Sequence, residues 1–371
     1  MSDSLNKMRR VVIETLSLPG DGRRGSCFRS SLTKIVCFWV LAVLWPHCAM
    51  ADWDVAPAAR LYLNCEGQGE PSVILDAGLG GSSLEWVYVV EQLRPYTRVC
   101  TFDRAGYGNS EMGRMPRTSS RIANELYLAL LQADVTPPYL LVGHSFGGFN
   151  VQLFARRYSY LIAGTVLLDA SHPEQVDRFL APPLNILTAP SSNIGIVRFR
   201  DPPPPSELLP TDVKEVISRR LLRWKTRQTV ASELLNFRQS ALQLAQTPRQ
   251  PDLPLLVITR GRMDSPHDEK RILMERLWLE LQVELADMSR QSAHFIARRA
   301  GHNIHIEQPE AVAFGVGLLV ERFRAQQRNS DARGLLVPIA DAWAEQPLDI
   351  TWMRDNLDLY PEQKQHSHLS W

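Results

Sequence analysis

Gly143-His144-Ser145-Phe146-Gly147, followed by Gly148, is the stretch on which the reading of this chain turns. It spells G-x-S-x-G. The apolar run Tyr139 to Val142 leads in, and a helical pattern from Phe149 to Tyr158 leads out. Strand, sharp turn and helix in that order make a nucleophile elbow. A turn this tight has no room for side chains two residues before and after the serine, and both positions are glycine. The same turn lifts the Ser145 hydroxyl clear of the sheet. It also aims backbone N–H groups at the start of the next helix toward the reacting centre. A plain glycine-rich turn closing a strand is the competing reading, and the order of partners along the chain has to decide.

Outward from the elbow, strand and helix patterns alternate. Upstream, Tyr62 to Asn64 and Ser72 to Ala77 read as a β-hairpin around Glu66-Gly67-Gln68-Gly69. Ser83 to Leu93 reads as helix, Arg98 to Phe102 as strand, and Ser119 to Leu131 as an amphipathic helix with Ile122, Leu126, Leu130 and Leu131 on one face. Downstream, Ala163 to Leu168 is an apolar strand closed by Asp169, and Leu253 to Thr259 is the next strand. A helix from Asp268 to Met288, a strand from Ala293 to Ala297 and a closing helix from Pro309 to Phe323 follow. This alternation predicts an α/β protein with a mainly parallel, doubly wound sheet of about eight strands. Its core is expected over 52–171 and 251–325. The interruption, 172–250, has no strand pattern; its Glu207 to Leu244 reads as helix in two pieces, and a block of this length over a sheet predicts a helical lid, inserted after the sixth strand. Residues 326–371 form a tail of unassigned role.

Composition narrows the function. The chain has 371 residues, 44% apolar and 22% charged, with net charge +1, so nothing points to a nucleic-acid partner. No phosphate-loop, dinucleotide or paired C-x-x-C sequence occurs, nor a cluster of metal-ligand type, so no cofactor is expected. Near the N-terminus, Lys34 and five arginines precede the apolar stretch Ile35 to Trp45, and Ala49-Met50-Ala51 follows. A basic flank, a short apolar run and an A-x-A end predict a signal peptide over 1–51 and export to the periplasm or medium. The alternative is a membrane anchor at 35–45. Removing 1–51 takes away three of the five cysteines and leaves Cys65 and Cys100. In an exported protein two cysteines suggest one disulfide, although two buried thiols would serve as small apolar residues.

From about Arg60 to Arg324 the chain resembles the α/β-hydrolase superfamily. The resemblance rests on Asp76-Ala77-Gly78-Leu79-Gly80-Gly81, Trp86, and Asp103-Arg104-Ala105-Gly106-Tyr107-Gly108-Asn109-Ser110. It rests equally on the elbow, on Gly301-His302 and on Pro309-Glu310-Ala311-Val312. The subset with an Asp-Arg-Ala-Gly-Tyr-Gly turn is rich in uncharacterised hydrolases. In the family fold the second and fourth strands are neighbours. The resemblance therefore implies that Cys65 and Cys100 come close enough to bridge.

The resemblance also assigns roles. Ser145 is the expected nucleophile and His302, after the last strand, its base; His305 is the rival, and His172 and His267 have weaker claims. His144 is expected to point away and pack. The acid is expected at Asp264, just past the Leu253–Thr259 strand, with Asp169 as the alternative. The oxyanion donors are expected to be the backbone N–H groups of Phe146 and Leu79. A serine at the elbow argues against dehalogenase or epoxide-hydrolase chemistry, which in this fold uses aspartate. The expected reaction is acyl transfer from a carboxylic ester to water, in an esterase or lipase-like enzyme. The substrate is expected to be a small ester or amide of modest size. Leu184, Ile186, Leu187, Ile194, Ile196, Val197 and Phe199 would line an acyl pocket or pack the lid. An aminopeptidase-like amidase is the runner-up, with Glu207, Glu215 or Glu233 holding a substrate amine, although a solvated helix face explains all three. A non-catalytic binding protein on the same scaffold is the third reading.

Overall fold

In the computed structural model the described residues are 59–181, 204–249, 252–262 and 269–333. Seven short strands form one sheet: β1 (Tyr62–Glu66), β2 (Ser72–Asp76), β3 (Val99–Asp103), β4 (Tyr139–His144), β5 (Ile162–Leu168), β6 (Leu255–Arg260) and β7 (Ser292–Ala297). Their spatial order is β1-β3-β2-β4-β5-β6-β7. Every neighbouring pair is parallel except β1 with β3.

Burial on both faces explains why the central strands are apolar runs rather than alternating ones. Along β2, Val73 and Leu75 face one core while Ile74 faces the other. The first core is closed by α1 (Val87–Leu93) and α9 (Pro309–Arg333) through Trp86, Val89, Leu93, Val312, Val316 and Val320. The second is closed by α2 (Ser119–Gln132), α3 (Gly147–Arg157) and α8 (Glu269–Ala286) through Leu126, Leu130, Val151, Phe154 and Leu285. Phe154 is fully buried, and truncation to alanine is expected to cost ~3–5 kcal/mol.

Several expectations need correction. The segments flanking Gly67 do not form a hairpin. β1 instead pairs antiparallel with β3, in a register that sets Cys65 opposite Cys100, and the two are joined as a disulfide. Seven strands are present among the described residues rather than about eight, and the helical insertion follows the fifth of them. It begins with α4 (Gln175–Leu180) and continues as three helices rather than two pieces: α5 (Thr211–Leu221), α6 (Trp224–Leu235) and α7 (Phe237–Gln246). The last helix runs to Arg333, well into the expected tail. Residues 1–51, the apolar residues 184–199, Asp264, His267 and the tail beyond 333 lie outside the described residues. No helix among those described is long and apolar enough to cross a membrane.

Candidate active site

Sterics build the elbow. A Cβ on Gly143 would lie 2.5 Å from Val151 Cγ2, and one on Gly147 would lie 2.5 Å from the Asp76 carbonyl oxygen. Neither contact is possible for a side chain. Ser145 itself has φ 51°, a left-handed conformation that few non-glycine residues adopt. The strain is held by backbone bonds. The Ser145 N–H donates to Leu168 O at 3.1 Å, and its carbonyl accepts from Gly148 at 2.9 Å and Ser171 at 3.0 Å.

The neighbouring strand ends the same way. Asp169, one residue past β5, has φ 41°, and its N–H donates to Ile258 O at 2.8 Å. Two adjacent parallel strands thus deliver a half-buried serine and a fully buried carboxylate at the same edge of the sheet.

His302 joins them. Its Nε2 lies 3.0 Å from Ser145 Oγ, and its Nδ1 lies 2.6 Å from Asp169 Oδ2. A carboxylate can only accept, so Nδ1 carries the proton and Nε2 offers its lone pair to the serine. An imidazole so held can take a proton from Oγ. The side chain of His302 is 44% exposed, so the site is open to solvent on this side. Asp264 lies outside the described residues, and the place against Nδ1 is filled by Asp169.

Asp169 is itself surrounded by donors. Oδ1 accepts from Trp278 Nε1 at 2.8 Å and from the Arg260 backbone at 3.2 Å. Oδ2 also accepts from Arg260 NH1 at 2.6 Å. Arg260 is in turn held by Glu275 through two bonds, at 3.0 and 3.1 Å, and stacks over the Trp278 ring. Burial alone would raise the carboxyl of Asp169. The Arg260 charge and the bonds from His302 and Trp278 outweigh it and hold the group far below the usual carboxylate range.

His144 does more than pack. Its Nε2 lies 2.9 Å from the His302 carbonyl oxygen, so it donates there and fixes the backbone of the imidazole above it. Burial, and then the neighbouring His305 and His302, push it well below the ordinary histidine range, so it works neutral. His305 is fully buried between the rings of Trp86 and His144 and does not approach Ser145. His172 is buried at the start of the insertion, where its Nδ1 accepts from the Glu174 N–H.

The loop after β2 passes directly over the nucleophile. A Cβ on Gly78 would lie 3.2 Å from Ser145 Cβ. The next residue, Leu79, packs with Phe146, Phe149 and Phe237 in a cluster shared by the elbow helix and α7. Glu207, in a turn before α5, is exposed and paired with Lys214, and Glu215 on α5 is exposed. Glu233 departs from the expectation of a solvated face: it is fully buried against Arg104 and Tyr107. Among the described residues no cluster of His, Cys, Asp and Glu could hold a metal ion.

Sequence reading missed Arg260, Trp278 and the inward face of Glu233. Their partners lie far along the chain, and only Arg104, inside a quoted motif, carried a signal.

The chain aligns over 251 residues with the uncharacterised protein YqjL of Bacillus subtilis (strain 168), at 26% identity, covering 68% of this chain and 84% of that protein. It is 24% identical over 319 residues to an AB hydrolase superfamily protein of Gibberella zeae, covering 77% and 99%. Among solved structures it resembles Cfl2 of Burkholderia cenocepacia, with TM-score 0.53 and 18% identity over 71% of this chain and 92% of that one, a likeness of fold alone. Residues 73–313 match the model of the alpha/beta hydrolase family, spanning strands β2 to β7, the elbow and His302, and the chain belongs to that family.

Proposed function

We propose that the protein is a serine hydrolase cleaving a carboxylic ester through an acyl-enzyme. The observation that carries this reading is the unbroken hydrogen-bonded line from Asp169 through His302 to Ser145, at 2.6 and 3.0 Å. Ser145 Oγ attacks the ester carbonyl while His302 Nε2 takes its proton. Negative charge gathers on the former carbonyl oxygen, where the N–H groups of Leu79 and Phe146 receive it. The imidazolium, steadied by Asp169, then protonates the departing alcohol. Water repeats the sequence on the acyl group, giving the free acid and the starting enzyme. Asp169 replaces Asp264 as the proposed acid because it already touches Nδ1.

The amidase reading loses its support. Of the acidic side chains expected to hold an amine, two are solvated, and Glu233 is committed to Arg104 and Tyr107. The Cys65–Cys100 disulfide supports export through the segment 1–51, because such bonds persist in oxidising compartments. The proposed partner is a small ester, with membrane contact only if residues 35–45 stay attached.

Fluorophosphonate labelling of Ser145, with turnover of nitrophenyl esters of rising chain length, tests the reading. Labelling and turnover that both vanish in Ser145→Ala are expected. Ester turnover that survives Ser145→Ala ends the proposal. An exported form beginning at Asp52 is the expected result of N-terminal sequencing.

A further inference from the structure

The Asp103-Arg104-Ala105-Gly106-Tyr107-Gly108 turn takes no part in the proton relay. It lies between the loop over the nucleophile and α6 of the insertion. Gly106, at φ 92°, is pressed against Thr229, and its carbonyl accepts from Thr226 Oγ1 at 3.3 Å. Lys225 and Arg223 donate to the carbonyls of Ser110 and Gly108. Glu233, fully buried, makes the charged contact between α6 and the turn.

We propose that Glu233 is a positioning residue: through Arg104 and Tyr107 it fixes the peptide units on either side of Leu79, and with them the oxyanion-binding N–H. The proposal rests on the serine-hydrolase reading. Arg104 NH2 donates to Gly78 O at 2.8 Å. That carbonyl belongs to the same planar peptide unit as the Leu79 N–H, and in a trans peptide the two point in opposite directions. Clamping the oxygen therefore aims the N–H. The following unit is held from its other end, where the Gly80 N–H donates to Tyr107 Oη at 3.3 Å. Arg104 NH1 adds bonds to Ala77 O at 2.6 Å and Asp76 Oδ1 at 2.8 Å.

Both clamps meet on one oxygen. Glu233 Oε2 accepts from Tyr107 Oη at 2.6 Å and from Arg104 NH2 at 3.1 Å, while Oε1 accepts from Arg104 Nε at 3.0 Å. Arg104, Tyr107 and Glu233 are 3%, 1% and 0% exposed, so water has little access to substitute for a lost partner. A charged donor on Gly78 O also polarises that peptide and strengthens its N–H as a donor. The insertion therefore contributes to the chemical step through the loop it holds, without touching the substrate. Unseating α6 would loosen the oxyanion loop while leaving the serine and imidazole in place.

The test uses the mature chain with Glu233→Ala, Glu233→Gln and Tyr107→Phe. It reads kcat per titrated Ser145, KM for a nitrophenyl ester, and Tm. Loss of one oxyanion donor costs about 10²–10³ in kcat, so Glu233→Ala should approach that loss with KM within about threefold. Glu233→Gln keeps one acceptor oxygen and should fall between. Tyr107→Phe removes a single clamp and should cost roughly tenfold. The double variant should lose less than the product of the singles, because both act on one loop. A purely structural role would lower Tm and the titratable fraction but leave kcat per labelled serine unchanged, and that result overturns the proposal. If Glu233→Ala does not fold, Tyr107→Phe decides by the same criterion, since it deletes one oxygen only. Failure of the wild type to label or turn over would instead sink the hydrolase reading, and this proposal with it.

Discussion

Arg104 lies between Asp76 and Glu233 beneath the loop after β2; Arg260 lies between Asp169 and Glu275 beneath the imidazole. Each cluster is one guanidinium and two carboxylates, and in each the inner aspartate is no more than 1% exposed. They titrate in opposite directions. Burial pushes Asp76 up to about 6, against the pull of Arg104 and Asn150, whereas Asp169 is held far below the usual range. Depth cannot be the reason. Asp76 accepts one side-chain bond from Arg104 and one from Asn150 and shares its arginine with a second buried acid. Asp169 accepts four bonds, and Glu275, which competes for its arginine, is 27% exposed and solvated. The donor count and the solvation of the outer acid set the sign of the shift. The cluster under the imidazole is built to keep a carboxylate charged. The cluster under the loop is built to hold a shape.

The largest effect should come from breaking the charged cluster at its centre. Asp169→Asn should lower kcat/KM by up to ~10⁴-fold, as loss of a triad aspartate does, while Asp264→Asn should stay near wild type. Steady-state ester hydrolysis by the two variants checks this, and the reverse ranking would return the role to Asp264. Arg104→Met strikes the other cluster. It strands two buried carboxylates without their cation, a loss of about 3–5 kcal/mol in urea unfolding. Arg260→Met should cost less, because Glu275 reaches water and Asp169 keeps Trp278 and His302.

How much of this was legible follows from where each constraint acts. The elbow is legible as a five-residue motif: Gly143 is pressed by Gly147 and Val151 a few residues on, and although Gly147 is pressed by the Asp76 and Ala77 carbonyls of the neighbouring strand, both glycines sit at fixed spacing from Ser145. His302 is legible from its order after the last strand and before the closing helix. The acid is not, because Asp169 and Asp264 both follow strands. The choice depends on a positive φ at Asp169 and on the reach of His302, which no local pattern encodes. The Gly67 segment reads as a hairpin for the same reason in reverse. A short apolar run, a glycine loop and another run describe local pairing, while β1 pairs instead with β3, more than thirty residues on in the Cys65–Cys100 register. Glu233 looks solvated because its helix segregates polar and apolar residues weakly and its partner Arg104 is 129 residues away. Charge networks that cross the fold leave little trace in a window of sequence.

The contrast between the clusters can be sharpened with pH. The folded value of Asp76, about 6, lies above the unfolded value near 3.9. The folded state then binds more protons between those values, so this group's stabilising contribution is present below about pH 4 and is lost as pH rises through 6. The loss is on the order of 2–3 kcal/mol. Asp169 has the opposite sign: its contribution is present above about pH 4 and is lost on acidification. Urea midpoints from pH 4 to 7 should therefore fall with pH more steeply in wild type than in Asp76→Asn. Parallel slopes would mean that Asp76 is not the group responsible.

The smallest expected effect belongs to Arg260→Gln, and it is the most diagnostic of how the imidazole is tuned. Asp169 Oδ2 divides its charge between His302 Nδ1 and Arg260 NH1, both at 2.6 Å. Every bit of that charge drawn to the guanidinium is withheld from the imidazolium of the proposed acyl transfer. With glutamine in its place, the carboxylate is still held by Trp278 and by the backbone N–H of residue 260, so the geometry persists while the competing cation is gone. Glu275 loses its partner too, but it can turn to solvent. The imidazolium of that step then gains stability. Ester kcat/KM should rise by less than about tenfold. An unchanged or lower kcat/KM, in a variant whose Tm stays near wild type, would show that Arg260 anchors Asp169 without modulating the base.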